Sequence, residues 1–155
     1  MYETIIWATD GSDGADLALA EALRLAVLTD SRVVAVHCDQ RLNGRAMAWP
    51  ALPDEDDRRA KIRRQVAELR ADGVEIVVVM RKSHREAADV VAEIAADLGA
   101  DLIACGTRGL GAFSGAFLGS FTQRLLHVAP CPVLAVCERA AAAAKPERKK
   151  AEVGA

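Results

Sequence analysis

The sequence predicts a single α/β domain: an open five-stranded parallel sheet of order 3-2-1-4-5 with helices on both faces. The chain has 155 residues, which is the length of one ordinary domain. Short, almost wholly apolar runs alternate with segments of helical periodicity, and such runs are typical of parallel strands covered on both faces. A glycine-rich stretch follows the fourth apolar run. Ligands of such sheets bind beyond the carboxyl ends of the strands, so those ends are where a site is expected.

The first half of the chain contains two strand signals and one helix signal. Residues 5–9 form a short apolar run that Asp10-Gly11-Ser12 closes as a turn. Ser12 is a favourable N-cap for a helix whose apolar positions share one face; they are Leu19, Ala22, Leu23 and Ala26. Residues 32–38 are the second strand, and residues 39–53 form a long irregular connection.

The next two helices are indicated by charge order and by capping patterns. The helix after Pro53 begins with acids and continues with Arg and Lys, the order that the helix dipole favours. Residues 74–80 are the third strand. Ser83-His84-Arg85-Glu86 has the pattern of a capping box that opens the third helix, in which Leu98 is one of the inward positions.

The last part of the chain supplies two strands, a helix and a tail. Residues 101–105 are the fourth strand, the last helix opens at Ser120, and residues 132–137 are the fifth strand. Residues 140–155 are rich in Ala and charged side chains, so we expect a disordered tail. The predicted domain therefore spans residues 1–139.

Composition excludes several classes of function. The net charge is −2 and the basic residues are dispersed, which argues against a nucleic-acid partner. No apolar run approaches the roughly 18 residues of a membrane span, and the start of the chain lacks the features of a signal peptide. Four cysteines without CxxC spacing are expected to be reduced, small buried side chains in a cytoplasmic protein.

The glycine-rich stretch is the most informative segment. Five of the fifteen residues from 106 to 120 are Gly, and the run ends where the last helix begins. Because free N–H groups at a helix N-terminus favour an anion, the pattern indicates a phosphate cradle. An ordinary flexible loop is the alternative. A Walker A motif is absent, since no Lys follows a Gly, and the partial dinucleotide fingerprint follows the wrong strand.

The spacing G-x-x-G-x9-G-S, made by Gly106, Gly109, Gly119 and Ser120, resembles the nucleotide-binding signature of the universal stress protein family, ATP-binding type. Four flanking blocks also resemble that family; they cover residues 8–12, 35–38, 100–109 and 129–136. The resemblance implies a fold like that of the adenine nucleotide alpha hydrolases. It also implies ATP as the ligand, with adenosine between the ends of the first, second and fourth strands.

The resemblance assigns a part of the ligand to each matching position. Asp10 and Ala8 would meet the adenosine portion, and Cys38 and Cys105 would offer apolar wall and backbone contacts to the base. Gly106 and Gly109 would let the chain pass close to ribose and phosphate. The phosphates would be held by Gly119, Ser120 and Phe121, with Arg108 nearby. A divalent metal, Mg or Mn, would be carried on the phosphates and not by a protein site.

The residues themselves leave alternatives open. Ser120 and Gln123 form an S-x-x-Q pattern, so the hydroxyl could cap the helix. Asp10 could brace the turn at Gly11, and Arg108 could lie in solvent. His37 is expected to be a packed polar residue at a strand end.

These features favour a nucleotide-binding regulatory protein with slow or no hydrolysis, because Arg108 is the only cation expected near the phosphates. The alternatives are a nucleotide-free dimeric interaction module and a true low-rate ATPase. The fifth strand is expected at a sheet edge, and an apolar edge invites pairing with another chain. We therefore expect a homodimer through residues 133–137.

Overall fold

The computed structural model describes residues 1–40, 55–108 and 118–137, and these form one α/β sheet structure. The strands are β1 (Thr4–Ala8), β2 (Arg32–Gln40), β3 (Ile76–Ser83), β4 (Leu102–Gly106) and β5 (Val133–Val136); the helices are α1 (Asp13–Thr29), α2 (Glu55–Ala71), α3 (Ala87–Asp97) and α4 (Ser120–Val128). The strand order is β3-β2-β1-β4-β5 and each neighbouring pair is parallel. The predicted fold class is confirmed.

The core consists of two layers, one on each face of the sheet. Successive side chains of a strand point to opposite faces, so Trp7 and Ile6 belong to different layers. Trp7 is buried with Ala18 of α1 and Ile62 of α2. Ile6 is buried with Val91 of α3, in the layer that also contains α4. The helices therefore cover both faces, two on each.

The strands end at different heights along the carboxyl edge of the sheet. The pairing of β1 with β2 ends at Ala8 and Val36, whereas β2 and β3 remain paired as far as Gln40 and Ser83. Both strands run past the ends predicted at residues 38 and 80, so Asp39 belongs to β2 and not to an irregular connection. The end of β2 thus extends past the end of β1.

The predicted capping box at residues 83–86 is wrong. Ser83 is the last residue of β3, and its hydroxyl accepts a hydrogen bond from the Arg85 N–H at 2.9 Å. Helix α3 begins only at Ala87, with Glu86 as an N-cap that makes no side-chain cap hydrogen bond. Leu98 was also predicted to point inward, but it follows the last helical residue and is 37% exposed.

The cysteines are less uniformly buried than expected. All four are free thiols, but only Cys105 is fully buried; Cys38 and Cys131 are half-buried, and the expectation is wrong for Cys137, which is exposed beyond the end of β5. In the described part of the chain, no helix is long and apolar enough to cross a membrane. The predicted tail at 140–155, most of the connection at 39–53 and Gly109 lie outside the described residues.

Candidate functional site

The turn between β1 and α1 is built around Asp10. One oxygen of its carboxylate accepts hydrogen bonds from the Ser12 N–H at 3.0 Å and from the Ser12 hydroxyl at 2.5 Å. The Ser12 hydroxyl oxygen accepts the Ala15 N–H and so caps α1. Gly11 has a φ of +80°, a left-handed conformation that suits Gly. Asp10 therefore does brace the turn through one of its oxygens.

Two basic side chains of helix α2 contact this turn. The Lys61 ammonium donates to the Gly11 carbonyl oxygen at 2.8 Å and to the Asp16 carboxylate at 2.6 Å. The Arg58 side chain lies directly against Gly11, 3.3 Å from where a Cβ would stand. Two basic side chains, Lys61 and Arg58, therefore lie beside the turn that follows β1. Sequence reasoning missed these contacts because Gly11 and Lys61 are 50 positions apart in the chain, and no local pattern indicates their approach.

Two glycines bring α1 against the end of β4. A Cβ on Gly14 would lie 2.9 Å from the Arg108 carbonyl oxygen, and a Cβ on Gly106 would meet the backbone of Gly14. Gly106 thus has a packing reason to be Gly, independent of any ligand. Gly14 was missed by the sequence analysis, although a Gly within the first turn of a helix is itself unusual enough to be a signal.

Thr107, just after β4, and Gly119, just before α4, lie beside each other. The Gly119 N–H donates to the Thr107 carbonyl oxygen at 2.8 Å, and the Thr107 N–H donates to the Val136 carbonyl oxygen at 3.0 Å. The Thr122 hydroxyl donates to the Gly106 carbonyl oxygen at 2.9 Å. These hydrogen bonds hold the start of α4 beside the carboxyl end of β4.

The N-terminus of α4 presents unpaired donors. Gly119 is the N-cap and has no side chain, and the first bond inside the helix runs from the Gln123 N–H to the Gly119 carbonyl. Within the described residues, the N–H groups of Ser120 and Phe121 have no acceptor. Ser120 is exposed and is the first residue of the helix, while the Gln123 amide donates to Leu118. The alternative in which Ser120 and Gln123 form a capping box is therefore wrong.

Near the end of β2, the backbone N–H and C=O of one residue face the side on which β1 lies. The Val33 N–H donates to Glu75 beside β3, and the Val36 carbonyl accepts the Thr9 N–H on the β1 side. Because this direction alternates along a parallel strand, the N–H and C=O of Cys38 face the β1 side, where β1 has already ended. Cys38 therefore offers a backbone donor and acceptor at the edge.

The two cysteines near the site are perturbed by burial. Burial raises the pKa of the Cys38 thiol, and the charges of Asp39 and Glu55 raise it further. Burial raises the pKa of the Cys105 thiol to about 11, although a hydrogen bond from Thr122 acts in the opposite direction. The Cys105 side chain lies in the core layer beneath α3 and α4. The N–H groups of Ile103 and Thr107 donate to β5, so by alternation the N–H and C=O of Cys105 also face β5 and not β1.

The family model of the universal stress protein family matches residues 1–136, a range that contains every strand and helix described above. The chain belongs to the universal stress protein family. It is 36% identical over 139 residues to "Universal stress protein in QAH/OAS sulfhydrylase 3'region" of Thermus aquaticus, covering 88% of this chain and 99% of the relative.

Two solved structures share the universal stress protein fold. A universal stress protein in complex with cAMP has a TM-score of 0.65 and 24% identity, covering 87% of this chain and 97% of that chain. The universal stress protein from Archaeoglobus fulgidus in complex with dAMP has a TM-score of 0.61 and 24% identity, with the same coverage of 87% and 97%.

In this universal stress protein, the predicted site residues come from four elements that meet at one edge of the sheet. Asp10 follows β1, Cys38 lies near the end of β2, and Arg108 follows β4. Gly119, Ser120 and Phe121 form the start of α4. Ala8 is the last residue of β1 and is only 5% exposed. Among the described residues, no group of three or more His, Cys, Asp or Glu could hold a metal ion.

Proposed function

We propose that this universal stress protein binds ATP at the carboxyl edge of β1, β2 and β4 and acts as a nucleotide-dependent regulatory module in the stress response. The observation that carries the proposal is the N-terminus of α4, where the Ser120 and Phe121 N–H groups lack an acceptor among the described residues and are held beside β4. Such a terminus favours a phosphate group. The cAMP and dAMP complexes of two proteins with this fold support an adenine nucleotide as the ligand.

Each part of ATP has a partner of suitable chemistry. The phosphates would lie on Gly119, Ser120 and Phe121, and the exposed Ser120 hydroxyl is available to them because it does not cap the helix. Asp10 and Ala8 would face the adenosine portion, and the backbone of Cys38 would face the base. Cys105 would lie near the base without offering it a backbone hydrogen bond, because its N–H and C=O face β5. Gly106, Arg108 and Gly109 would line the ribose and phosphate side. Mg or Mn would be carried on the phosphates.

Hydrolysis should be slow or absent. The two cations that α2 brings to the turn are already engaged: Lys61 pairs with Asp16, and Arg58 pairs with Glu55. Rapid phosphoryl transfer needs a cation positioned on the terminal phosphate, and kinases that have one turn over at about 1–100 s⁻¹. We expect this protein to turn over orders of magnitude more slowly than that. A kinase-like rate that Asp10→Ala abolishes would contradict the regulatory assignment.

The sharpest test of the ATP site is Gly119→Asp. Gly119 has φ −63° and ψ 155°, an N-cap conformation that Asp adopts readily, so the variant should fold. Its carboxylate would accept the free N–H groups and repel a phosphate, and ATP affinity should fall by about a hundredfold. Gly119→Asn is the matched control: it caps equally well without the charge and should lose less. Equal ATP affinity of the wild type and a folded Gly119→Asp variant, measured by calorimetry, would show that the site is misplaced.

A simpler measurement separates the nucleotide-binding protein from the nucleotide-free interaction module. Native mass spectrometry of the purified protein should show an adenine nucleotide bound to it. A protein that carries no nucleotide and also fails to bind added ATP would favour the interaction module.

We assign this function to residues 1–139. The four free thiols agree with a reducing compartment such as the cytoplasm.

We also infer that the protein is a homodimer that pairs through residues 133–137. The support is the position of β5 at the edge of the sheet. The Pro132 and Val136 carbonyl groups accept bonds from the β4 side, so by alternation the backbone groups of Val133 and Ala135 face outward. A two-fold arrangement would pair these outward groups with their counterparts in a second copy.

A further inference from the structure

His37 is a buried histidine whose two ring nitrogens are both engaged. The residue is 1% exposed and lies on β2, on the face of the sheet that α1 and α2 cover. Its Nδ1 lies 2.8 Å from the Thr9 carbonyl oxygen, and its Nε2 lies 2.7 Å from Oε1 of Glu55. A carbonyl oxygen can only accept, so the contact with Thr9 is a hydrogen bond that the ring donates from Nδ1.

The contact with Thr9 changes the end of the β1–β2 ladder. The Thr9 N–H donates to the Val36 carbonyl oxygen at 2.9 Å, and in a regular parallel ladder the Cys38 N–H would then donate to the Thr9 carbonyl. Here the Thr9 carbonyl accepts from the His37 ring instead. Within the described residues, the Cys38 N–H is left without an acceptor. A side chain has replaced a backbone donor at this point.

Glu55 holds the imidazole in this position. It is the first residue of α2, and its carboxylate also pairs with Arg58 and Arg59 of the same helix. The ring is therefore fixed from two sides, by the end of β1 and by the start of α2. Since Lys61 of α2 also bonds to Gly11, the helix holds the segment that contains Thr9 and Asp10 through two separate contacts.

We propose that His37 is a positioning residue that separates β1 from β2 and thereby presents the Cys38 N–H to the base of the nucleotide. This inference rests on the proposed function. The N–H and C=O of Cys38 face the same side of the strand, and adenine carries an acceptor (ring nitrogen N1) beside a donor (its 6-amino group) on one edge. His37 acts through Cys38 and does not itself touch the ligand.

Two isosteric variants separate the contacts of the ring. His37→Asn keeps an N–H near the position of Nδ1 and loses the contact with Glu55. His37→Gln keeps an N–H near the position of Nε2 and loses the donor to Thr9. In the Gln variant the Thr9 carbonyl is free to accept the Cys38 N–H, so the ladder should lengthen by one bond.

The binding test compares ATP with 1-deaza-ATP, in which a C–H replaces ring nitrogen N1. The wild type should prefer ATP by about tenfold, the effect of one lost hydrogen bond, and His37→Asn should keep most of that preference. His37→Gln should lose it. The inference is wrong if a folded His37→Gln variant retains the wild-type preference, or if both variants lose it equally, as a merely structural role would predict.

Amide hydrogen exchange tests the inference without any nucleotide. In the wild type the Cys38 amide should exchange about a hundredfold faster than the amide of Val36, which lies inside the ladder. In His37→Gln the Cys38 amide should become protected. A wild-type Cys38 amide as protected as that of Val36 overturns the inference, even if both variants fail to fold. Fast exchange of Cys38 in a protein that binds no ATP would refute the proposed function and leave the separation of the strands standing.

Discussion

Gly106 and Gly14 meet backbone to backbone: a Cβ on Gly106 would lie 2.7 Å from the Gly14 carbonyl carbon and 2.8 Å from its oxygen. Real Cβ atoms do not approach backbone that closely. The contact brings the first turn of α1 to the carboxyl end of β4, the same edge at which the candidate ATP site lies. Gly106, the first glycine of the family signature, is therefore constrained by packing as well as by any ligand.

Gly106→Ala should lower the free energy of unfolding by about 1–3 kcal/mol, because a methyl group would force two backbone segments apart. Gly14→Ala should act in the same way, since its Cβ would meet the Arg108 carbonyl oxygen at 2.9 Å. Chemical denaturation of both variants checks this. The double variant should lose less than the sum of the two, because the first displacement makes room for the second. Strictly additive losses would show that the two glycines are not coupled.

Asp101 makes stability depend on acid pH. Its carboxylate accepts the backbone N–H groups of Glu3 and Thr4 at 2.8 and 3.0 Å, and these bonds lower the pKa of Asp101 below its usual range. A lowered folded-state pKa stabilises the fold above the unfolded pKa of about 3.9, and this stabilisation is lost as the pH falls through the lower folded value. The stability difference between wild type and Asp101→Asn should therefore be largest near neutral pH and vanish in strong acid.

The control for this titration is Asp97→Asn, which removes an exposed acid at the end of α3. Thermal unfolding of the three proteins across the acid range makes the comparison. A difference for Asp101→Asn that persists unchanged into strong acid would mean that the carboxylate does not act through its charge.

Thiol modification should report occupancy of the proposed ATP site. Cys38 and Cys131 are both half-buried, and burial raises the pKa of each thiol, so they are matched probes. Cys38 lies at the proposed base site, whereas Cys131 precedes β5 on the far side of β4. ATP should slow the alkylation of Cys38 by about tenfold or more and leave Cys131 unchanged. Equal protection of both, measured by mass spectrometry of peptides, would point to global stabilisation and not to a ligand at Cys38.

Ala135→Pro should weaken the predicted homodimer. Ala135 faces its N–H outward from β5, and Pro would remove that donor from each copy without touching the ladder to β4. Ala135→Gly keeps the donor and is the matched control. Light scattering at micromolar concentration should show a dimeric wild type, a dimeric Gly variant and a Pro variant shifted toward monomer. A monomeric wild type, or a dimer that tolerates both Ala135→Pro and Leu134→Asp, would contradict the assignment.

Patterns in the sequence were enough to predict the fold class, the order of the elements and the family. Residues 5–9 predict a strand because nearly all of them are apolar. Ser12 is an N-cap because its hydroxyl oxygen accepts a hydrogen bond from the backbone N–H three residues later. These signals are local: periodicity, caps and spaced glycines are visible within a few neighbouring residues. The same locality explains the error at residues 83–86, where a valid capping pattern was overridden because β3 continues beside β2.

The contacts that build the carboxyl edge of the sheet could not be predicted from the sequence. The partners of Gly106, Gly11 and His37 are Gly14, Lys61 and Glu55, all distant in the chain. A close approach of two backbones, or a ring that takes a carbonyl from the neighbouring strand, depends on where separate elements meet. No local pattern encodes that meeting point, because it is set by strand register and by the packing of helices on the sheet. The sequence could therefore predict residues that lie at this edge of the sheet, but not which of them contact each other.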